Sequence, residues 1–382
     1  MPPPGCHHNP NEDAVNSPTS PLNFLDQNYQ ELLQNCLTEN TLYNDELFPP
    51  DNSSIGLFDV DPPDMSQAVW PFELVSDPNL IVDGVSRFDY AQGSVLGNCW
   101  FLASIGALTF EKDIMKQVMP AEKSFTKDYA GIFHFRFWRF GKWIDVVIDD
   151  QLPTIDDELL FVCSKMSNEF WPALLEKAYA KVCGSYADLN AGFISEALMD
   201  FTGGTHMYYE LNTAPADLWN IMECAFTSKT LIGCSSNTVT TPEENEILCG
   251  IVAEHTYTVT GVFEVTSDEN PVHLVRLLNP WGRKEWRGDW SDGFKAVLKA
   301  KGSNKMRSQS GRFSSEFFIE REPVAQTDGL VWLREVMKFF RLEPGEYLIV
   351  PCTENPGETA SFVLSIFSKN ETHFEHIQET SE

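Results

Sequence analysis

Cys99 stands in Gln92-Gly93-Ser94-Val95-Leu96-Gly97-Asn98-Cys99-Trp100-Phe101-Leu102-Ala103-Ser104. It heads an apolar run of small residues that can start a helix. Backbone N–H groups at a helix N-terminus favour the thiolate. They also offer donors to an oxyanion developing on an attacked carbonyl. The same placement suits a buried structural thiol, because free cysteine is among the most buried residue types. Two residues far downstream favour chemistry. His255 lies in Glu254-His255-Thr256-Tyr257-Thr258-Val259-Thr260-Gly261-Val262, at or near the start of a β-rich run. Asn279 lies in Val275-Arg276-Leu277-Leu278-Asn279-Pro280-Trp281-Gly282, at the end of another run that Pro280 and Gly282 stop. Neighbouring antiparallel strands would set the imidazole and the amide side by side. An Asn carbonyl oxygen can then hold the ring of a Cys–His pair in its useful tautomer. Trp281 is placed to shield that bond from water. Each residue alone has a plainer reading: a strand His is commonly structural, and an Asn before Pro is a turn residue.

The elements that must position these residues are legible in outline. The helix opened by Cys99 runs towards Thr109. Phe133 to Phe137 and Trp143 to Ile148 alternate as a hairpin, with Phe140-Gly141-Lys142 near the turn. Phe170 to Val182 carries apolar residues at helical spacing, and Gly203-Gly204 marks a hinge. Beyond it the pattern is strand-rich: Leu231 to Cys234, Tyr257 to Val265 and Val272 to Leu278. Upstream, residues 1 to about 20 are rich in Pro, Asn and Ser and are expected to be disordered. Phe24 to Leu37 fits a short amphipathic helix with Phe24, Leu25, Tyr29, Leu32, Leu33 and Leu37 near one face. Residues 44 to 80 read as acidic, Pro-rich extended chain wrapping a domain. A largely helical half followed by a strand-rich half, with Cys, His and Asn in that order, is the arrangement of papain-like proteases.

Composition agrees with a folded, acidic protein. The 382 residues suffice for two or three compact units, and 42% are hydrophobic. A net charge of −29 argues against nucleic-acid binding, which needs basic surface, and suits solubility or cation binding. Nine scattered cysteines include no CxxC pair, so a zinc ribbon or redox dithiol is not expected. Reduced thiols in a cytoplasmic protein are the plain inference. The start is no signal peptide, and no apolar run is long enough for a transmembrane helix.

At this point the sequence resembles the calpains, the intracellular calcium-dependent cysteine proteases. The matching text includes Gly97 to Ala103, Tyr129-Ala130-Gly131-Ile132-Phe133-His134-Phe135 and Asp149-Asp150-Gln151-Leu152-Pro153-Thr154. It continues through Glu169-Phe170-Trp171-Pro172-Ala173-Leu174-Leu175-Glu176-Lys177-Ala178-Tyr179-Ala180-Lys181 and Asp200-Phe201-Thr202-Gly203-Gly204. It ends with His255 to Gly261 and with Asn279-Pro280-Trp281-Gly282 through Trp290-Ser291-Asp292, so it covers roughly residues 20 to 292. The resemblance implies an α+β, papain-like two-subdomain core with nucleophile Cys99, general base His255, orienting Asn279 and oxyanion-hole Gln92. It divides the chain into a disordered N-terminus and short helix (1–44), a helical first half (45–203), a strand-rich but incomplete second half (204–294) and a divergent segment with a β-sandwich remnant (295–382). No EF-hand loop occurs, so calcium rests on the resemblance alone. The matching positions are Asp89 and Glu169 with the carbonyls of Val82 and Gly84 for one ion, and Glu285 and Asp292 for a second. Such hard oxygen ligands suit calcium, which in the family rotates the two halves into register.

Three departures from the family bear on function. Ser94-Val95 fills a one-residue slot between Gln92 and Cys99, and Asn98 replaces the usual Asp. Loss of one oxyanion donor costs on the order of a hundredfold in rate, so the slip bears on whether Gln92 serves. Glu254 replaces a Gly before the histidine, where a carboxylate is expected to raise the imidazole pKa and crowd the cleft. After Asp292 the chain turns basic, from Lys295 to Lys305, before text from Phe339 to Pro351 that resembles the last sandwich strands. These features read as a truncated or alternatively spliced form without the family's C-terminal EF-hand domain. Two functions follow as expectations. One is a calcium-dependent endopeptidase making limited cuts in intracellular proteins. The other is an inactive calpain-like binding or regulatory partner. Neither reading includes a nucleic-acid partner or an integral membrane segment.

Overall fold

A computed structural model describes residues 16–281 except 58–66, 83, 87–89, 94–95, 121–124, 127, 237–249 and 268–269. The expected sandwich remnant and Glu285, Asp292 and Asp89 lie outside the described residues.

The N-terminal segment differs from its sequence reading. Leu25 has φ 52°, which breaks the continuous helix expected over Phe24–Leu37. Helix α1 instead spans Tyr29–Glu39, with Asn28 Oδ1 accepting from the Glu31 N–H at 3.1 Å as its N-cap. Its buried face is Tyr29, Leu33 and Cys36, while Leu25 and Leu37 are exposed. Residues 16–20, expected to be disordered, are tied down. Asn16 Oδ1 accepts from the Trp143 N–H at 2.7 Å, and Pro18 O accepts from Arg136 at 2.8 Å. The expected extended stretch 44–80 includes two single-turn helices, α2 (Asn52–Ile55) and α3 (Pro71–Leu74).

The hairpin forms as β4 (Ile132–Arg139) and β5 (Lys142–Asp149), in register from Ile132↔Asp149 to Arg139↔Lys142. A two-residue strand, β1 (Leu22–Asn23), adds to β5 in parallel. The smaller strands β2 (Gln67–Val69), β6 (Leu152–Ile155) and β7 (Glu158–Leu159) make one sheet, and β3 (Tyr90–Ala91) pairs with β8 (Cys163–Ser164).

Four further helices surround these strands. They are α4 (Cys99–Leu108), α5 (Lys112–Val118), α6 (Trp171–Cys183) and α7 (Ile194–Thr202). In α4 every residue after Cys99 is buried, and Phe101, Leu102, Ile105 and Leu108 each stabilise the core by about 2 kcal/mol. Two buried lysines lock α6 against the hairpin. Lys177 Nζ meets Asp149 Oδ1 at 2.6 Å. Lys181 Nζ meets Asp45 Oδ2 at 2.6 Å, Gln27 Oε1 at 2.6 Å and the Val147 carbonyl at 2.7 Å. All three Lys181 donors are thereby used, which also ties residues 27–45 to the core.

Downstream, α8 (Leu218–Thr227) precedes an antiparallel sheet ordered β11-β10-β9. The strands are β9 (Gly233–Ser235), β10 (Thr256–Ser267) and β11 (Asn270–Leu278). The register shifts between Val259 and Gly261, a bulge that brings Thr258 opposite Leu278. Strand β10 lies directly on α4. Thr258 Oγ1 donates to the Ala103 carbonyl at 2.6 Å, and a Cβ at Gly106 would stand 2.6 Å from that oxygen. Gly106 is what permits this approach. Helices gather in the first part of the described chain and the long antiparallel sheet in the second, an α+β arrangement. No helix among the described residues is long and apolar enough to cross a membrane.

Candidate active site

Cys99 is the first residue of α4 and is half-buried. Three contacts from other elements hold its loop. The Gly97 N–H donates to Asn190 Oδ1 at 3.0 Å, and the Ala191 N–H donates to the Gly97 carbonyl at 3.2 Å. Trp100 Nε1 donates to the Leu189 carbonyl at 3.0 Å. Asn98 is the N-cap, and its carbonyl accepts the first helical bond, from the Leu102 N–H, at 3.1 Å. Its side chain makes no cap bond. Instead Asn98 Nδ2 donates to Glu176 Oε1.

His255 immediately precedes β10. Its N–H donates to Ser236 Oγ at 3.0 Å, and its carbonyl accepts from the Ser236 N–H at 2.9 Å. Its Nε2 lies 2.7 Å from Asn279 Oδ1 at the end of β11. The donor in that bond follows from a third group. The Trp281 N–H, which can only donate, reaches the same Oδ1 at 3.0 Å. Asn279 therefore presents oxygen, and Nε2 carries the hydrogen. Neutral His255 is left with a bare Nδ1. The Trp281 ring lies 4.5 Å from the imidazole and the Tyr257 ring 4.9 Å, so apolar surface flanks the pair.

Burial pulls the His255 pKa below its ordinary value, and the bond to Asn279 opposes that shift. The sequence expectation ran the other way. Glu254 is exposed and does not act on the imidazole, because a carboxylate in water is screened. No hydrogen bond joins Cys99 to His255 among the described residues. Their elements are joined by the Thr258–Ala103 bond, and the thiol–imidazole contact in such sites often tightens only with substrate bound.

Gln92 is less free than expected. Its Nε2 donates to the Leu96 carbonyl at 2.8 Å, across the stretch that holds the extra residue. One amide N–H is thus spent within the loop, and the other has no partner among the described residues. Its Oε1 is buried without a partner among the described residues.

Of the expected calcium ligands, Val82, Gly84 and Glu169 are described. Glu169 is buried, with Oε1 accepting from the Val82 N–H at 2.7 Å and Oε2 from Ser164 Oγ at 2.7 Å. The carboxylate therefore lies against the backbone of Val82, and a carboxylate is a hard oxygen donor of the kind a calcium site uses. No cluster of three His, Cys, Asp or Glu side chains able to hold a metal occurs among the described residues.

Glu176, Asn190 and Ser236 were not marked by sequence. Glu176 sits inside an apolar helical run, where a lone carboxylate carries no periodic signal. Asn190 and Ser236 act from turns that no local pattern links to Cys99 or His255.

The family model described as calpain family cysteine protease matches residues 43–327. The chain is 47% identical over 276 residues to the calpain-1 catalytic subunit of Mus musculus, which covers 71% of this chain and 39% of that protein. It is 42% identical over 330 residues to the Bos taurus calpain-1 catalytic subunit, covering 84% of this chain and 44% of that protein. With Homo sapiens calpain-8 it shares 44% identity over 284 residues, 73% of this chain and 40% of the relative. The chain thus spans about two fifths of the length of these curated relatives. On the match of most of the chain and on these identities, it belongs to the calpain family of cysteine proteases.

Proposed function

We propose that the chain is a calcium-dependent cysteine endopeptidase acting through Cys99, His255 and Asn279. The observation that carries this reading is the His255 Nε2–Asn279 Oδ1 bond of 2.7 Å, with Oδ1 held by the Trp281 N–H. It leaves Nδ1 as the basic atom. In the proposed reaction His255 Nδ1 takes the proton of the Cys99 thiol, and the thiolate adds to a peptide carbonyl carbon. Uncapped N–H groups of the first turn of α4 and the second N–H of Gln92 stabilise the oxyanion. The C–N bond then breaks, and the imidazolium returns its proton to the leaving amine. His255 next deprotonates a water, which hydrolyses the thioester and releases Cys99. Asn279 keeps the ring in its tautomer throughout.

Calcium would be held by Glu169, the carbonyls of Val82 and Gly84 and, by the resemblance, Asp89. Bound there it would neutralise buried carboxylate charge and tie the backbone at Val82 and Gly84 to Glu169. Glu285 and Asp292 belong to the same proposal for a second ion. The described cysteines are free thiols, which supports a reducing compartment and, within this proposal, the cytoplasm.

The test is casein hydrolysis by the purified chain, with calcium and with chelator, beside Cys99→Ala. Calcium-dependent cleavage that Cys99→Ala abolishes is the expected result. A folded chain that leaves casein intact refutes the protease reading and favours a binding role.

A further inference from the structure

We propose that Glu176 is a positioning residue for Cys99: from the interior it holds the Asn98 side chain away from the first turn of α4, leaving that turn's N–H groups to the nucleophile. The inference rests on the reading of Cys99 as that nucleophile. An Asn at an N-cap ordinarily turns its side chain onto the N–H groups two or three residues on. Here Asn98 does not, because Nδ2 is engaged by Glu176 Oε1, 78 residues away in the chain. Both side chains are buried.

The surroundings of Glu176 favour the uncharged acid. Its second oxygen accepts from the Val162 N–H at 2.9 Å. No cation pairs with it among the described residues. Its neighbour on α6, Lys177, points to Asp149 and to the Gln151 carbonyl. The titratable groups facing it are Cys163 on β8 and Tyr186 beyond α6, whose pKa values burial pushes up, so both stay neutral near pH 7. Cys99 stands next to its partner Asn98. Leu152, Leu159, Phe161 and Ala173 make an apolar wall beside it. A carboxylate with two donors and no counter-ion is costly in such a place. Burial accordingly pushes the Glu176 pKa up to about 8.

Asn98 suits this partner in both of its states. Its Nδ2 serves the carboxylate. A half-turn of the amide presents Oδ1, which is buried and has no partner among the described residues, to the hydroxyl of the neutral acid. An aspartate at this position could offer only oxygen. When Glu176 ionises, a buried negative charge lies next to the nucleophile loop and opposes the Cys99 thiolate.

The experiment is alkylation of Cys99 by iodoacetamide from about pH 6 to about pH 10, comparing the chain with Glu176→Gln, a neutral isostere of the acid. Mass spectrometry of the Cys99 peptide separates it from the other thiols. The variant-to-wild-type rate ratio is expected to climb roughly threefold to tenfold as pH passes about 8. A ratio flat across the range overturns the proposal. Should Glu176→Gln fail to fold, Glu176→Met, uncharged and of similar length, takes its place, with the same climb in ratio expected and a flat ratio overturning the proposal. Alkylation requires no peptide turnover. A chain with the climbing ratio that leaves casein intact keeps this inference and loses the protease reading, and a flat ratio in a chain that cuts casein does the reverse.

Discussion

Gly106→Ala probes the contact between the helix that Cys99 opens and the strand that follows His255. A Cβ at residue 106 would stand 2.6 Å from Thr258 Oγ1 and 2.7 Å from Tyr90 Oη. Ordinary contact begins near 3.4 Å, so the neighbours must recede by about 0.8 Å. Neither can swing aside freely. Thr258 Oγ1 is bonded to the Ala103 carbonyl at 2.6 Å, and Tyr90 Oη to the Leu102 carbonyl at 2.8 Å. Overpacking of this kind costs about 1–3 kcal/mol, and the loss of one buried hydrogen bond adds about 1 kcal/mol. The expected destabilisation is therefore about 2–4 kcal/mol, read from the urea midpoint at unchanged slope. Strand β10 begins one residue after His255, so the same shift moves the imidazole relative to Cys99. Misplacement by an ångström can cost about a hundredfold in kcat/KM on a peptide substrate. Combining Gly106→Ala with Thr258→Ala removes one clashing atom, and the pair should fall short of additivity by about 1 kcal/mol or more. The reasoning fails if Gly106→Ala keeps its stability within about 0.5 kcal/mol and its rate unchanged.

Asn279→Ala should lower kcat at least tenfold with a small change in KM, since it frees the His255 ring to turn; an unchanged kcat in that variant would contradict the orienting role. Because burial lowers the His255 pKa, the imidazole stays neutral below its usual pH. Its stability contribution is complete above the unfolded value of about 6.5 and is lost as pH falls through the folded value, so the His255→Gln variant should show a shallower acid loss in urea titrations. Lys181→Met leaves Asp45 buried without its cation and should cost about 3–5 kcal/mol, with residues 27–45 becoming accessible to limited proteolysis; a thermal midpoint matching the unmodified chain would show that the pair does not anchor that segment.

Much of the scaffold was readable before any coordinates. The β4–β5 hairpin, α4 starting at Cys99 and α6 emerged within one or two residues of their sequence bounds, because each is set by local periodicity and by the turn residues beside it. The continuous helix over Phe24–Leu37 did not, because a left-handed turn at Leu25 overrides apolar spacing. Residues 16–20 hold to the hairpin through an amide oxygen and a backbone carbonyl, contacts that leave no mark in composition.

The sequence alone determined which residues could do the chemistry: a thiol at a helix start, a histidine at a strand start and an asparagine at a strand end. Tertiary structure decided how they are used. The Trp281 N–H orients the Asn279 amide and so selects the His255 tautomer. Burial, rather than the adjoining Glu254, sets the direction of the imidazole pKa. Glu176, from a helix far along the chain, takes the Asn98 side chain away from its capping place. Each of these depends on which donor meets which acceptor after packing has excluded water, and spacing along the chain does not encode that meeting.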